Sequence, residues 1–234
     1  VRRLEDWGKL GGIGIAALAL AAALLFFGPR LLGAAAGPEA EIITTLKEAE
    51  HDGVSLPVPG APVPLVSRKI QYARIAVSVA PDGQSAEAYA TLDFEGVLGT
   101  TVVSTAGVER VPFALEAGEW KPQPSVAPRL VAAVAALEAR RRALAQGLPQ
   151  ELARLTGPGG DGGVGQAWAE AAPLRRRRLT VAAWYLRLER DEAVVTEHYR
   201  LEGDLPSRPV DTRGERPLLL VREGDQFLFS PGLM

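Results

Sequence analysis

The chain has 234 residues, 47% of them hydrophobic, which is enough to bury a core in one large domain or two small ones and excludes a disordered chain. A formal net charge of -2 provides no global positive field for phosphates, so nucleic acid is not an expected partner. Cysteine is absent, which excludes disulfides, thiolate nucleophiles and cysteine metal sites.

Residues 10–28, LGGIGIAALALAAALLFFG, carry no charge. As a helix at ~1.5 Å per residue the run is roughly 28 Å long, close to the ~30 Å hydrocarbon core, so a transmembrane helix is expected there. Arg2, Arg3 and Lys9 precede it, whereas only Arg30 follows before Lys47. That bias makes residues 1–9 a cytoplasmic tail and puts the rest outside the membrane. The competing reading is a cleaved leader, with Ala34 and Ala36 as the small residues of a cleavage site. Arginine far outnumbers lysine and Ala, Gly, Val and Leu abound, the bias of a GC-rich bacterial genome. The expected location is therefore the bacterial inner membrane, single-pass, with the carboxy-terminal domains in the periplasm.

Gly37-Pro38 with Glu39 and Glu41 starts a helix, because proline fits a first turn and acids favour the positive end of the helix dipole. Ile42, Leu46 and Ala49 share one face of it, and Gly53 ends it. Prolines at 57, 59, 62 and 64 then favour an extended connector. After Arg68 the period becomes two: Ile75, Val77 and Val79, then Ala88, Ala90, Leu92 and Phe94, then Val111, Phe113 and Leu115. Ser125 is the candidate cap of a second helix, with Leu130, Val134, Leu137 and Leu144 on its apolar face and Arg140, Arg141 and Arg142 on its solvated surface. Shorter helices are expected at 149–155 and around Trp168, separated by the glycine-rich GPGGDGGVG. Beyond LRRRRL the alternation returns: Ala182, Trp184, Leu186 and Leu188; Val195, Glu197, Tyr199 and Leu201; Leu219 and Val221; then QFLF.

The two halves rhyme. Asp82 meets Asp191, FEGVLG meets LEGDLP, and ERVPFALEAGE meets ERPLLLVREGD, with inward and outward faces in phase. A period near one hundred is that of a duplicated domain. The expected fold is α+β: a transmembrane helix followed by two tandem helix-plus-antiparallel-sheet domains, at 38–123 and 124–234.

A helix, a sheet of about four antiparallel strands and a closing Ala117-Gly118-Glu119-Trp120-Lys121 hairpin resemble the cystatin-like and nuclear-transport-factor-2-like superfamily. Gly224, Asp225 and Phe227 carry the same likeness in the second half. An anchored chain bearing such domains is similar to inner-membrane assembly factors of conjugative and type IV secretion machines, and to membrane proteins associated with lipid import. The resemblance implies a scaffold or docking role without catalysis or cofactor.

Catalytic and metal motifs are sparse. His51 and His198 are the only histidines and neither stands at a ligand spacing, so no metal is expected. GPGGDG at 157–162 has dinucleotide-loop spacing but follows a helix, and reads as a linker. Arg175, Arg176, Arg177 and Arg178 are candidates for docking a partner, or a solvated run. Trp184, Glu197 and Tyr199 are the pocket candidates, because the alternation turns them inward, where a carboxyl could serve as an acid or base. The expected function is a membrane-anchored extracytoplasmic scaffold or protein-interaction module of a bacterial envelope complex, non-catalytic, with other envelope proteins as partners. The alternative is a carrier for a lipid-like or small apolar ligand held between sheet and helix.

Overall fold

The computed structural model describes residues 37–157 and 164–230. The expected membrane span at 10–28, the cleavage site and most of the glycine-rich stretch lie outside those residues. Among the described residues no helix is long and apolar enough to cross a membrane.

Among the described residues four helices, α1 (Pro38–Asp52), α2 (Pro128–Gln146), α3 (Pro149–Arg154) and α4 (Val164–Ala171), accompany nine strands. In chain order these are β1 (Ser55–Leu56), β2 (Leu65–Val79), β3 (Ser85–Leu98), β4 (Thr101–Glu116), β5 (Glu119–Pro122), β6 (Arg175–Leu188), β7 (Glu192–Leu205), β8 (Arg208–Glu223) and β9 (Gln226–Ser230). They form one sheet in the order β1-β2-β3-β4-β6-β7-β8-β9, with β5 also on β4. Every pairing is antiparallel except β4 with β6.

Period-two burial holds along β3 and most of β4. Ala88, Ala90, Leu92 and Phe94 are buried along β3, and Val111 and Phe113 along β4. Each of β2 and β6 carries a mid-strand bulge, between Ala73 and Ala76 and between Val181 and Ala183. The extra residue bends the strand and shifts its phase. That shift buries Ala183 and exposes Ala182, reversing the expectation for Ala182. β8 is also one residue out of the expected phase: Leu218 and Leu220 are buried, not Leu219 and Val221. The rhyme aligned the hairpin glycines, but the ladders align Glu116↔Glu119 with Glu223↔Gln226. The turn pairs are therefore Ala117-Gly118, both at positive φ, and Gly224-Asp225, with only Gly224 positive. A one-residue slip moves every side chain to the other face.

The expected boundary at 123/124 divides neither the sheet nor the core. β4 is long enough to give its last turnward residues, Phe113 to Glu116, to β5 and its first ones, Val102 to Gly107, to β6. At the end of that parallel seam a Cβ on Gly107 would lie 2.7 Å from the Leu188 nitrogen and nearer still to its carbonyl oxygen, so glycine permits the approach. Helix α2 crosses the seam, touching β4, β6 and β9. Its Leu130, Val134, Leu137 and Leu144 belong to one buried cluster that runs from Ile42 and Leu46 of α1 to Phe227 and Phe229 of β9. The two halves share a helix, and so share a core.

Candidate functional site

Trp184, Glu197 and Arg216 lie in register across β6, β7 and β8, all turned inward. Trp184 donates its indole N–H to Glu197 Oε2 at 3.1 Å. Arg140 descends from α2 and places Nη1 at 2.9 Å and 3.2 Å from the two Glu197 oxygens, with both side chains fully buried. Arg216 Nη1 stands 3.8 Å from Glu197 Oε1, and its other nitrogen bonds Glu170 of α4. The Arg216 guanidinium covers the Tyr199 ring at 4.4 Å, and that of Arg140 covers Phe229 at 5.6 Å. Two carboxylates thus face two guanidiniums in a charge-balanced cluster that runs from the fully buried Arg140–Glu197 pair out to the exposed Glu170. Burial depresses the basicity of Arg140, and the neighbouring Glu197 carboxylate offsets part of that.

The expected pocket residues Trp184, Glu197 and Tyr199 do come together, but around arginines and not around space. Glu197 accepts from Arg140 and Trp184, with the Arg216 charge close by, which leaves it an anchor and not a free base. Arg140, expected on the helix surface, is the correction that explains it. Its spacing from Leu137 and Leu144 puts it on the apolar face, a signal the arginine run obscured.

A second buried acid escaped the sequence reading. Glu109 of β4 is fully buried and accepts backbone N–H bonds from Arg110 at 3.0 Å, and from Arg129 and Leu130 at 3.1 Å each. It therefore caps α2 from a neighbouring strand. Ser125, the expected cap, instead accepts the Ala127 amide in the turn before the helix. Burial pushes the Glu109 carboxyl up to about 7, even though three amides and the Arg129 charge favour its ionised form. Nearby Tyr72 donates its hydroxyl to the Val126 carbonyl at 2.6 Å. Arg129 Nη1 bonds the Val108 carbonyl at 2.8 Å and Nη2 bonds the Glu189 carbonyl, tying β4 to the β6–β7 turn.

The four arginines opening β6 do not act alike. Arg177 turns inward, over the Trp168 ring at 5.5 Å and against Gly147, the left-handed residue that ends α2. Its charge there suits the negative end of the helix. Arg175, Arg176 and Arg178 are exposed, and Arg176 pairs with Asp204 at 2.8 Å. His198 is half-buried, edge-on to Tyr185, and 3.6 Å from Glu215.

The cavity lies elsewhere. A cleft of about 950 Å3 runs between the halves. Its floor is the second face of α2, at Val131, Ala132, Ala135 and Ala139, and its walls are the connector prolines Pro57 and Pro59 on one side and Phe227 and Leu228 of β9 on the other. None of Trp184, Glu197 and Tyr199 lines it. The sequence held one clue: LVAAVAALEA is apolar on both helical faces, and only one was needed for the core.

No protein-family model and no curated protein matches the chain. Solved structures similar to it include a candidate ketosteroid isomerase from Shewanella frigidimarina, at 14% identity and a TM-score of 0.34 over 42% of this chain and 90% of that one. A candidate dehydratase of the NTF2-like family from Streptomyces avermitilis shares 16% identity, with a TM-score of 0.36 over 44% of this chain and 96% of its own. An NTF2-like protein involved in plasmid conjugation shares 9% identity, with a TM-score of 0.29 over 70% of this chain and 74% of its own. The functional argument rests on the side chains.

Proposed function

We propose that this chain is a non-catalytic binding module of the bacterial envelope, held at the inner membrane by residues 10–28 with its folded part in the periplasm. Its cleft receives a segment of another envelope protein. The observation that carries this reading is the cleft itself: about 950 Å3, built from both halves and floored by small side chains of α2. Small residues on a helix let another backbone come close, and the exposed prolines make a rigid apolar wall. Glu109 and Glu197 support the non-catalytic part, because the oxygens of each are already engaged by fixed donors. Exposed Arg175, Arg176 and Arg178 supply a secondary docking patch on the same basis of accessible charge.

Ala135→Glu tests the reading by placing a charge on the cleft floor at a half-buried residue. Partner recovered with the detergent-solubilised chain is expected to fall by about tenfold, the ~1.4 kcal/mol scale of one central contact, with an unchanged unfolding midpoint. Equal recovery, or an intact wild-type chain that purifies gently as a lone monodisperse monomer, overturns it.

The cleft volume favours one second reading, a carrier of a small apolar ligand, since pockets of ~300–1,000 Å3 enclose such molecules. Native mass spectrometry then finds a bound small molecule that Ala135→Glu loses, and no protein partner.

A further inference from the structure

The seam between the halves is a parallel pairing, running from Val102↔Ala183 to Gly107↔Leu188. The ladders locate both sides of that seam again in the opposite halves. Val97↔Val102 and Leu92↔Gly107 correspond to Asp204↔Pro209 and Tyr199↔Gly214, so residues 209–214 of β8 stand where 102–107 stand in β4. Leu186↔Val195 and Leu188↔Ala193 correspond to Val77↔Ala88 and Val79↔Ala86, so residues 76–79 of β2 stand where 185–188 stand in β6.

Among the described residues, neither stretch has a strand on its outer edge. β8 pairs with β7 along its length and with β9 only over 219–223. β2 pairs with β3, and with β1 only at Leu65 and Val66. Exposed edges of this kind are templates for another strand. One chain therefore carries, at opposite ends of its sheet, both surfaces that it already joins in its middle. The glycine is repeated as well. Gly107, at a φ of +159°, admits the Leu188 backbone, and Gly214 holds the matching ladder place, where a Cβ would lie 3.2 Å from the Tyr199 hydroxyl.

The edges are guarded against indiscriminate pairing. Glu50 and Lys47 of α1 occupy the Tyr72 amide and carbonyl, leaving β2 open only beyond its bulge. Pro209 and Arg213 stand on the β8 edge, and Asp211 is neutralised by Arg200 at 2.8 Å and 2.7 Å. Such devices restrict an edge to a partner of matching register.

We propose that the seam is repeated between molecules: residues 211–214 of β8 in one copy pair in parallel with residues 76–79 of β2 in a second copy. The register is Asp211↔Ala76, Thr212↔Val77, Arg213↔Ser78 and Gly214↔Val79. The occupant is a second copy because this chain supplies both halves of the fit. The contact is heterologous, so copies add head to tail. It is independent of what fills the cleft.

The chain's lack of cysteine makes the test direct. Full-length Thr212→Cys and Val77→Cys chains are mixed in detergent under mild oxidation. The covalent heterodimer is expected at least about fivefold above either homodimer, because in-register neighbours satisfy the ~4.4–6.8 Å Cα separation of a disulfide. The chain carrying both substitutions gives a ladder of covalent oligomers. Heterodimer in statistical proportion, or an excess of the Thr212→Cys homodimer, overturns the proposal.

Discussion

Two cross-strand pairs stand at matching places in the two halves: Ala90 opposite Glu109, and Glu197 opposite Arg216. Each half buries one acid there, and α2 answers both. At its first turn the helix gives Glu109 two backbone amides, and three turns on it gives Glu197 the Arg140 guanidinium. The first solution relies on backbone dipoles and leaves a carboxyl with a raised pKa, whereas the second relies on full charges in balance. A buried acid thus marks where helix meets sheet, and need not mark chemistry.

The contrast is sharpest when each acid is removed. Glu197→Leu strands Arg140 and pulls Arg216 out of balance, and is expected to cost ~3–5 kcal/mol in denaturant unfolding, the scale of a broken buried pair. Glu109→Ala leaves two helix amides without acceptors, and a smaller loss of ~1–3 kcal/mol is expected in the same measurement. Trp184→Phe removes one donor from an acid that keeps its others, for a loss of about 1 kcal/mol. Arg176→Ala breaks only an exposed pair with Asp204, and the midpoint is expected to move by less than ~0.5 kcal/mol.

Acidity separates the two centres in another way. The Glu109 carboxyl rises from 4.5 to about 7 on folding, so between those values the folded state holds a proton that the unfolded state has released. Its contribution to stability is full below pH 4.5 and is lost as pH rises through about 7. The groups around it are Arg129, Arg110 and Tyr72, which keep their charge states over that window. Glu109→Gln keeps an acceptor for the amides and cannot titrate. Unfolding followed from pH 4.5 to about 7 should show the slope in the native chain and its loss in this variant. An unchanged slope would place the titrating group elsewhere.

Much of the fold was legible because most strands alternate and each long helix turns an apolar stripe toward the sheet. Ile42, Leu46, Leu130, Val134 and Leu137 are buried as their spacing requires. What failed was register. The bulge at Val181 moved Ala182 outward, and the unlike turns at Gly118 and Gly224 shifted β8 by one residue, neither of which hydrophobic spacing encodes. Glu197 was rightly turned inward, but its partners lie on other elements, Arg140 on α2 and Arg216 on β8, so its role could not be read from β7 alone. Glu109 was invisible for the same reason, since its acceptor role depends on where α2 begins in space. Two separate cores were expected because the repeat was read as two closed units. The parallel seam and the shared helix became visible only when both halves were placed together.

The most direct test compares Glu197→Leu with the double variant Arg140→Met/Glu197→Leu in equilibrium unfolding, where Arg216 keeps its bond to Glu170. If the acid serves to balance buried guanidiniums, replacing the pair with apolar side chains restores most of the stability the single change removes. A double variant no more stable than the single one would contradict that role and reopen Glu197 as a reactive group.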